Sequence, residues 1–138
     1  MHRLLIASVI LATPHLAMAQ TKDLDVIAER ARGAWFGHNP AALIAHSPRV
    51  LIQLPGTDPS AALGPDQAAA LLRDFMAAAQ EVETGVRAAR EVEPGRGYVE
   101  LQREYRVSGT QNVRVQVLLL GYRLEESGWR LVEIRVVG

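Results

Sequence analysis

The hydrophobic repeat of this chain changes once, near Gln80, and that change decides which folds are open to it. Before it, apolar residues recur at helical spacing. Leu24, Ile27, Ala28, Ala31 and Trp35 make one stripe, and Ala68, Leu71, Leu72, Phe75, Met76 and Ala79 make another. After it, apolar and polar residues alternate, as in strands with one buried face. Helices first and hairpin-linked strands afterwards define an α+β fold, with the helices packed on one face of an antiparallel sheet.

The punctuation supports that order. Asp23 is placed to cap the first helix and Gly37 to stop it. Asn39-Pro40 reads as a cap followed by proline at the first helical position. The short second helix turns Leu43 and Ile44 inward and ends at Ser47-Pro48. Val50 to Leu54 reads as a strand, and Pro65 opens the third helix. In the strand region, Val82, Thr84, Val86 and Ala88 share one face. Val99, Leu101, Tyr105 and Val107 share the next, with Arg103 among them. Val113, Val115, Val117 and Leu119 alternate in a strand reaching about Leu124. Trp129 to Val137 closes the chain. Pro94-Gly95-Arg96-Gly97, Ser108-Gly109-Thr110 and Glu125-Glu126-Ser127-Gly128 supply the turns.

The N-terminus reads differently. His2 and Arg3 precede the apolar run Leu4 to Ala12, and Ala17-Met18-Ala19 comes after it. A positive start, a short apolar run and an A-x-A site make a secretory signal. The run is short of the roughly 20 apolar residues that span a bilayer, and Pro14 interrupts the segment. Residues 1–19 are therefore expected to be a signal peptide. Residues 20–138 are expected to be one domain, periplasmic or secreted after cleavage near Ala19.

Composition excludes several functions. No cysteine is present, so disulfides, thiolate metal sites and cysteine nucleophiles are out. Fifteen basic residues balance fifteen acidic ones, and the arginines are interleaved with acids, which argues against nucleic acid as a partner. Gly95-Arg96-Gly97 precedes a strand and lacks a third glycine at Glu100, so it is not a dinucleotide loop. His38 and His46 lack the spacing of a helical metal pair, and no metal or other cofactor is expected. Glu81-Val82-Glu83 and Glu91-Val92-Glu93 read as solvated strand faces.

The element order resembles the cone-shaped α+β superfamily of nuclear transport factor 2, the ketosteroid isomerases and the polyketide cyclases. The closing Gly128-Trp129-Arg130-Leu131-Val132 and the helix Pro65-Asp66-Gln67-Ala68 running into Phe75 resemble an exported bacterial family of unknown function within it. The resemblance implies a long N-terminal helix lying across a strongly curved sheet, with a pocket between them and frequent pairing of subunits through the sheets. It implies no single activity, because the superfamily hosts isomerases, dehydratases, hydrolases and binding modules. The isomerase pattern needs an acidic base on the sheet, with a tyrosine and a protonated aspartate as donors. This chain has no aspartate after Asp74 and no tyrosine in its first helix, so no catalytic residue is assigned.

The pocket candidates are Arg103, Tyr105, Glu133, Arg135 and Trp35. Arg103 shares a strand face with Val99, Leu101, Tyr105 and Val107, so it points inward or snorkels to the rim. A buried arginine needs a carboxylate or a bound anion. Glu133 and Arg135 fall in the same period as Trp129 and Leu131 in the last strand, so Glu133 either pairs Arg103 or joins Arg135 at a pocket wall. Convergence of Arg103 and Glu133 on open space would favour an enzyme. A filled core would favour a module.

One further expectation concerns partners. From Leu118 the alternation fails, and Leu118, Leu120, Tyr122 and Leu124 make a second face apolar. The last strand likewise divides Leu131 and Val137 from Val132, Ile134 and Val136. Helices cover only one face. Either the second face is partnered, giving a homodimer through the sheet, or a β-bulge near Gly121 exchanges the facing residues. The expected function is that of an exported, non-catalytic module for a small apolar or anionic ligand or a protein partner. A small pocket enzyme of isomerase or dehydratase type is the alternative.

Overall fold

The computed structural model describes residues 14–138, with side chains from Asp23 onward. The expected signal peptide therefore lies outside the residues with described side chains. The elements are α1 (Pro14–Phe36), α2 (Pro40–Leu43), β1 (Leu51–Gln53), α3 (Pro65–Ala77), β2 (Ala79–Glu93), β3 (Arg96–Val107), β4 (Val113–Glu125) and β5 (Gly128–Val137). The expected helix–helix–strand–helix–four-strand order holds. Asp23 lies inside α1 instead of capping it, because the helix starts at Pro14. Ala79 opens β2 and does not extend the α3 stripe.

The five strands form one sheet in the order β1-β5-β4-β3-β2. Its β2 to β5 run is an antiparallel meander. The short β1 adds to the far edge in parallel with β5, pairing Leu51 with Glu133 and Gln53 with Arg135. Leu24, Ala28, Ala31 and Trp35 line one stripe of α1 and are buried against the sheet with Ala68, Leu72 and Met76 of α3. α1 crosses the sheet closely at Gly97. A Cβ there would stand 3.0 Å from Leu24 Cδ2 and 3.2 Å from Trp129 Cζ3.

Bulges decide which side chains face the helices. β2 shifts register against β3 between Glu81 and Glu83, between Val86 and Ala88, and between Glu91 and Glu93. Each shift exchanges the faces of the residues beyond it and bends the strand. The expected single face of Val82, Thr84, Val86 and Ala88 is thereby broken: Thr84 is buried, while Val82 and Val86 are exposed. A further shift lies between Gly121 and Tyr122 of β4, where Gly121 pairs with Glu133 but Tyr122 pairs with Leu131. Val132 is the extra residue. Leu131, Ile134 and Val136 consequently all face the core.

The two faces of β4 are the reverse of the sequence expectation. Gln116, Leu118, Leu120 and Tyr122 are buried on the helix side. Val113 and Val115, at 52% and 49% exposure, lie on the outer face with the half-buried Val117 and Leu119. Leu118, Leu120 and Tyr122 fill the interior as part of one buried cluster.

Candidate functional site

Arg103 stands at the centre of the inner face of β3, and its side chain is 1% exposed. A guanidinium buried that deeply needs its donors answered. Nε donates to Glu81 Oε2 at 3.1 Å, and Nη2 donates to Glu81 Oε1. Nη1 donates to Gln116 Oε1 at 3.1 Å, from the position directly across on β4. Aromatic rings complete the surround. The guanidinium carbon is 4.1 Å from the Tyr105 ring centre, 5.2 Å from Trp35 and 5.7 Å from Phe75. Trp35 and Phe75 meet edge to face at 6.2 Å.

Glu81 is the residue that sequence reasoning missed. With Glu83 it reads as part of a wet strand face, but the bulge at Val82 separates the two. Glu83 stays exposed, while the Glu81 side chain is turned under the helices at 2% exposure. Its Oε1 also lies 3.1 Å from His38 Nε2. His38 sits just past the end of α1 in a left-handed conformation, φ 50°, which turns its ring back over β2. Its side chain is 32% exposed, so it carries the edge of the buried pair out to solvent.

Arg103, Tyr105 and Trp35 are therefore brought together, as their shared interior position suggests. Glu133 and Arg135 are not. The bulge at Val132 sends them to the opposite face of the sheet from Trp129 and Leu131, correcting the face assigned to them from the period. There Glu133 Oε1 accepts from Arg135 Nη2 at 3.1 Å, on a partly exposed surface. Arg103 takes Glu81, from the neighbouring strand β2, in the place expected for Glu133.

The Arg103 cluster is closed. The Glu81 and Arg103 side chains are almost wholly buried, and neither they nor Gln116 line the clefts described below. Two buried polar atoms near it, Trp35 Nε1 and Thr84 Oγ1, have no hydrogen-bond partner among the described residues. No group of three or more metal-ligating side chains occurs among those residues either.

Open space lies farther back along α1, beside Asp23 to Arg30. A cleft of about 590 Å³ runs between α1, the turn after α2 and the β4–β5 turn. Asp23, Val26, Ile27 and Arg30 form its helical wall, and Ala45, His46, Trp129 and Arg130 stand opposite. A smaller recess of about 170 Å³ shares Ile27, Arg30, His46 and Trp129 with it and reaches down to Leu43, Tyr122 and Leu131. Tyr122 is 6% exposed and makes no hydrogen bond among the described residues. Burial pushes its phenol well above the ordinary value of 10.0, so the hydroxyl stays protonated. The combined size suits a small organic ligand.

No protein-family model matches the sequence, and no curated protein matches it. Solved structures do match in shape. A ketosteroid isomerase-like protein from Erwinia carotovora atroseptica superposes with a TM-score of 0.69 at 15% identity, over 85% of this chain and 94% of that one. A DUF4783 family protein from Bacteroides ovatus gives 0.63 at 11% identity, over 78% and 90%. An NTF2-like protein with a cystatin-like fold from Novosphingobium aromaticivorans gives 0.61 at 20% identity, over 86% and 81%. Helices laid across a bulged five-stranded sheet, together with these superpositions, give the chain the fold of the nuclear transport factor 2-like superfamily, the cystatin-like cone.

Proposed function

We propose that this protein is an exported, non-catalytic module that works by binding, as a homodimer joined through the outer faces of its sheets. The saturation of the interior carries the reading. Both Glu81 oxygens are taken by Arg103, one of them also by His38, and the third direction of the guanidinium is held by Gln116. A general base needs a lone pair aimed at a place where substrate can sit. Glu81 has its oxygens aimed at Arg103 and His38. A buried arginine so enclosed fixes the register of β2, β3 and β4 and does not present charge to a ligand.

Export rests on the sequence of the first nineteen residues, which has the pattern of a signal. N-terminal sequencing of protein from its own host should begin near Gln20, and an intact Met1 in the cytoplasmic fraction would remove the claim. Pairing rests on the apolar ridge Val113, Val115, Val117 and Leu119 of β4, with Val137 beside it, on a face that no helix covers. Sedimentation at micromolar concentration should give a dimer, and Val115→Glu should give a folded monomer. A wild-type monomer would end the pairing claim.

The non-catalytic reading is tested by mass spectrometry of the native protein from its host, which should retain a ligand or partner unchanged. Turnover of a retained compound that disappears in Glu81→Gln, with the melting temperature held, would put the isomerase or dehydratase alternative in its place.

A further inference from the structure

Some arginines are answered by carboxylates, and others, on the open surface as well as at the cleft, are not. Arg32, Arg96, Arg103 and Arg135 each have a carboxylate within reach. Arg30 and Arg130 line the large cleft and have none among the described residues. Asp23 is the one carboxylate of the lining. It is seven residues from Arg30 on the same helical face, about 10 Å along the axis, and it takes no part in the inner recess. The recess therefore carries Arg30 and no carboxylate, while Asp23 and Arg130 stand in the outer part of the cleft.

Tyr122 adds a second, independent pointer. A largely buried tyrosine ordinarily turns its hydroxyl to a partner or to water. Here the residue is more than nine-tenths buried, lines the recess and makes no hydrogen bond among the described residues. The shift caused by its burial keeps the proton on the oxygen, so what it offers is a donor. His46 lines the same recess, on a left-handed backbone at φ 66°. Around these groups the walls are hydrocarbon: Ile27, Ala31, Leu43 and Leu131.

We propose that this cleft binds a small amphiphilic carboxylate. Its two oxygens are held by Arg30 and the Tyr122 hydroxyl beside His46, and its hydrocarbon part lies along Val26, Ile27 and Trp129. A cationic fork with one neutral donor matches the two oxygens of a carboxylate. The apolar walls suit a hydrocarbon chain or ring. The proposal rests on the binding reading and supplies the ligand class and place which that reading leaves open. It moves the ligand away from Arg103, Tyr105 and Trp35.

Calorimetric titration of the purified full chain with octanoate, octanol and octylammonium tests it. Octanoate is expected to bind saturably at one site per chain, with octanol about tenfold weaker for want of the charge-assisted bond. Arg30→Gln should weaken octanoate by about tenfold and leave octanol unchanged. Tyr122→Phe should weaken octanoate by about three- to tenfold. Arg135→Gln, on the other face, should change nothing. Because Arg30 is exposed, its variant keeps the fold even if Tyr122→Phe loosens it. Equal binding of octanol or octylammonium, an unaffected Arg30→Gln, or no saturable octanoate binding would each overturn the proposal. A retained host ligand that survives Arg30→Gln would overturn this site while leaving the binding reading in place. Turnover abolished by Glu81→Gln would remove the binding reading itself.

Discussion

The two ends of the space beneath α1 contain the same kinds of residue and do different things with them. At Arg103, a guanidinium, a carboxylate, a histidine and three aromatic rings close on one another. At Tyr122, the hydroxyl of a largely buried tyrosine, an exposed histidine and an exposed arginine line a recess without meeting a partner among the described residues. Residue type does not separate these sites. What separates them is whether the hydrogen-bonding capacity of each group is used within the fold. Answered groups hold the structure together, and unanswered groups beside open space are available to a ligand.

The strongest way to break this comparison is to unbalance the closed end. Arg103→Met leaves Glu81 buried without its cation, and removing one partner of a buried pair costs about 3–5 kcal/mol. Thermal melting should fall by more than about ten degrees. Restoring neutrality with Glu81→Leu should recover most of the loss, since a buried pair replaced by apolar groups is often near neutral. A small effect of Arg103→Met would mean that the cluster is open to water and available to a ligand after all.

Leu120→Glu and Val115→Glu sharpen the assignment of faces. Leu120 is fully buried among the helices, so a glutamate there should destabilise by several kcal/mol, about the cost of an unpaired buried charge. Val115 is exposed, and Val115→Glu should leave the melting of the monomer within about 0.5 kcal/mol of wild type. Equal effects at the two positions, measured by denaturant unfolding, would contradict the observed register.

The open end has a pH signature. The folded protein holds the Tyr122 proton above the pH at which the unfolded chain releases it. The contribution is complete below about pH 10 and is lost as pH rises past it, at up to about 1.4 kcal/mol per pH unit. Urea unfolding between about pH 9 and 11 should show that loss in the wild type, and Tyr122→Phe should remove it. An identical loss in Tyr122→Phe would place the phenol in contact with water.

The smallest effect belongs to Arg135→Gln. Its bond to Glu133 is on the surface, where such pairs contribute about 0–1 kcal/mol. A drop larger than that in a denaturant titration would give the outer-face pair a role that its exposure denies.

Much of this fold is legible in the chain. The change of period near Gln80 separates helices from strands, and the proline and glycine signals locate their ends to within a few residues. The stripe Leu24, Ala28, Ala31 and Trp35 is the core face of α1, and Val99, Leu101 and Arg103 do share the inner face of β3. The site is less legible. Alternation identifies sides only until the first bulge, because one extra residue sends every later side chain to the other face. That is why Glu81 reads as wet and why Glu133 and Arg135 fall beside Trp129 in the pattern; β4 keeps its alternation, and with both of its faces largely apolar the pattern does not say which one is inside. His38 carries no signal at all, since its reach to Glu81 spans 43 positions and depends on where α1 ends over β2.

By itself, then, the sequence determined the class of fold, the order of elements and the core stripe of α1, because periodicity and turn chemistry act between neighbours along the chain. Only the tertiary structure decided that Arg103 is satisfied by Glu81 and that Tyr122, Arg30 and His46 gather at one recess. Those relations join strands and helices distant in sequence, and their register is fixed by bulges and close packing that no local pattern records.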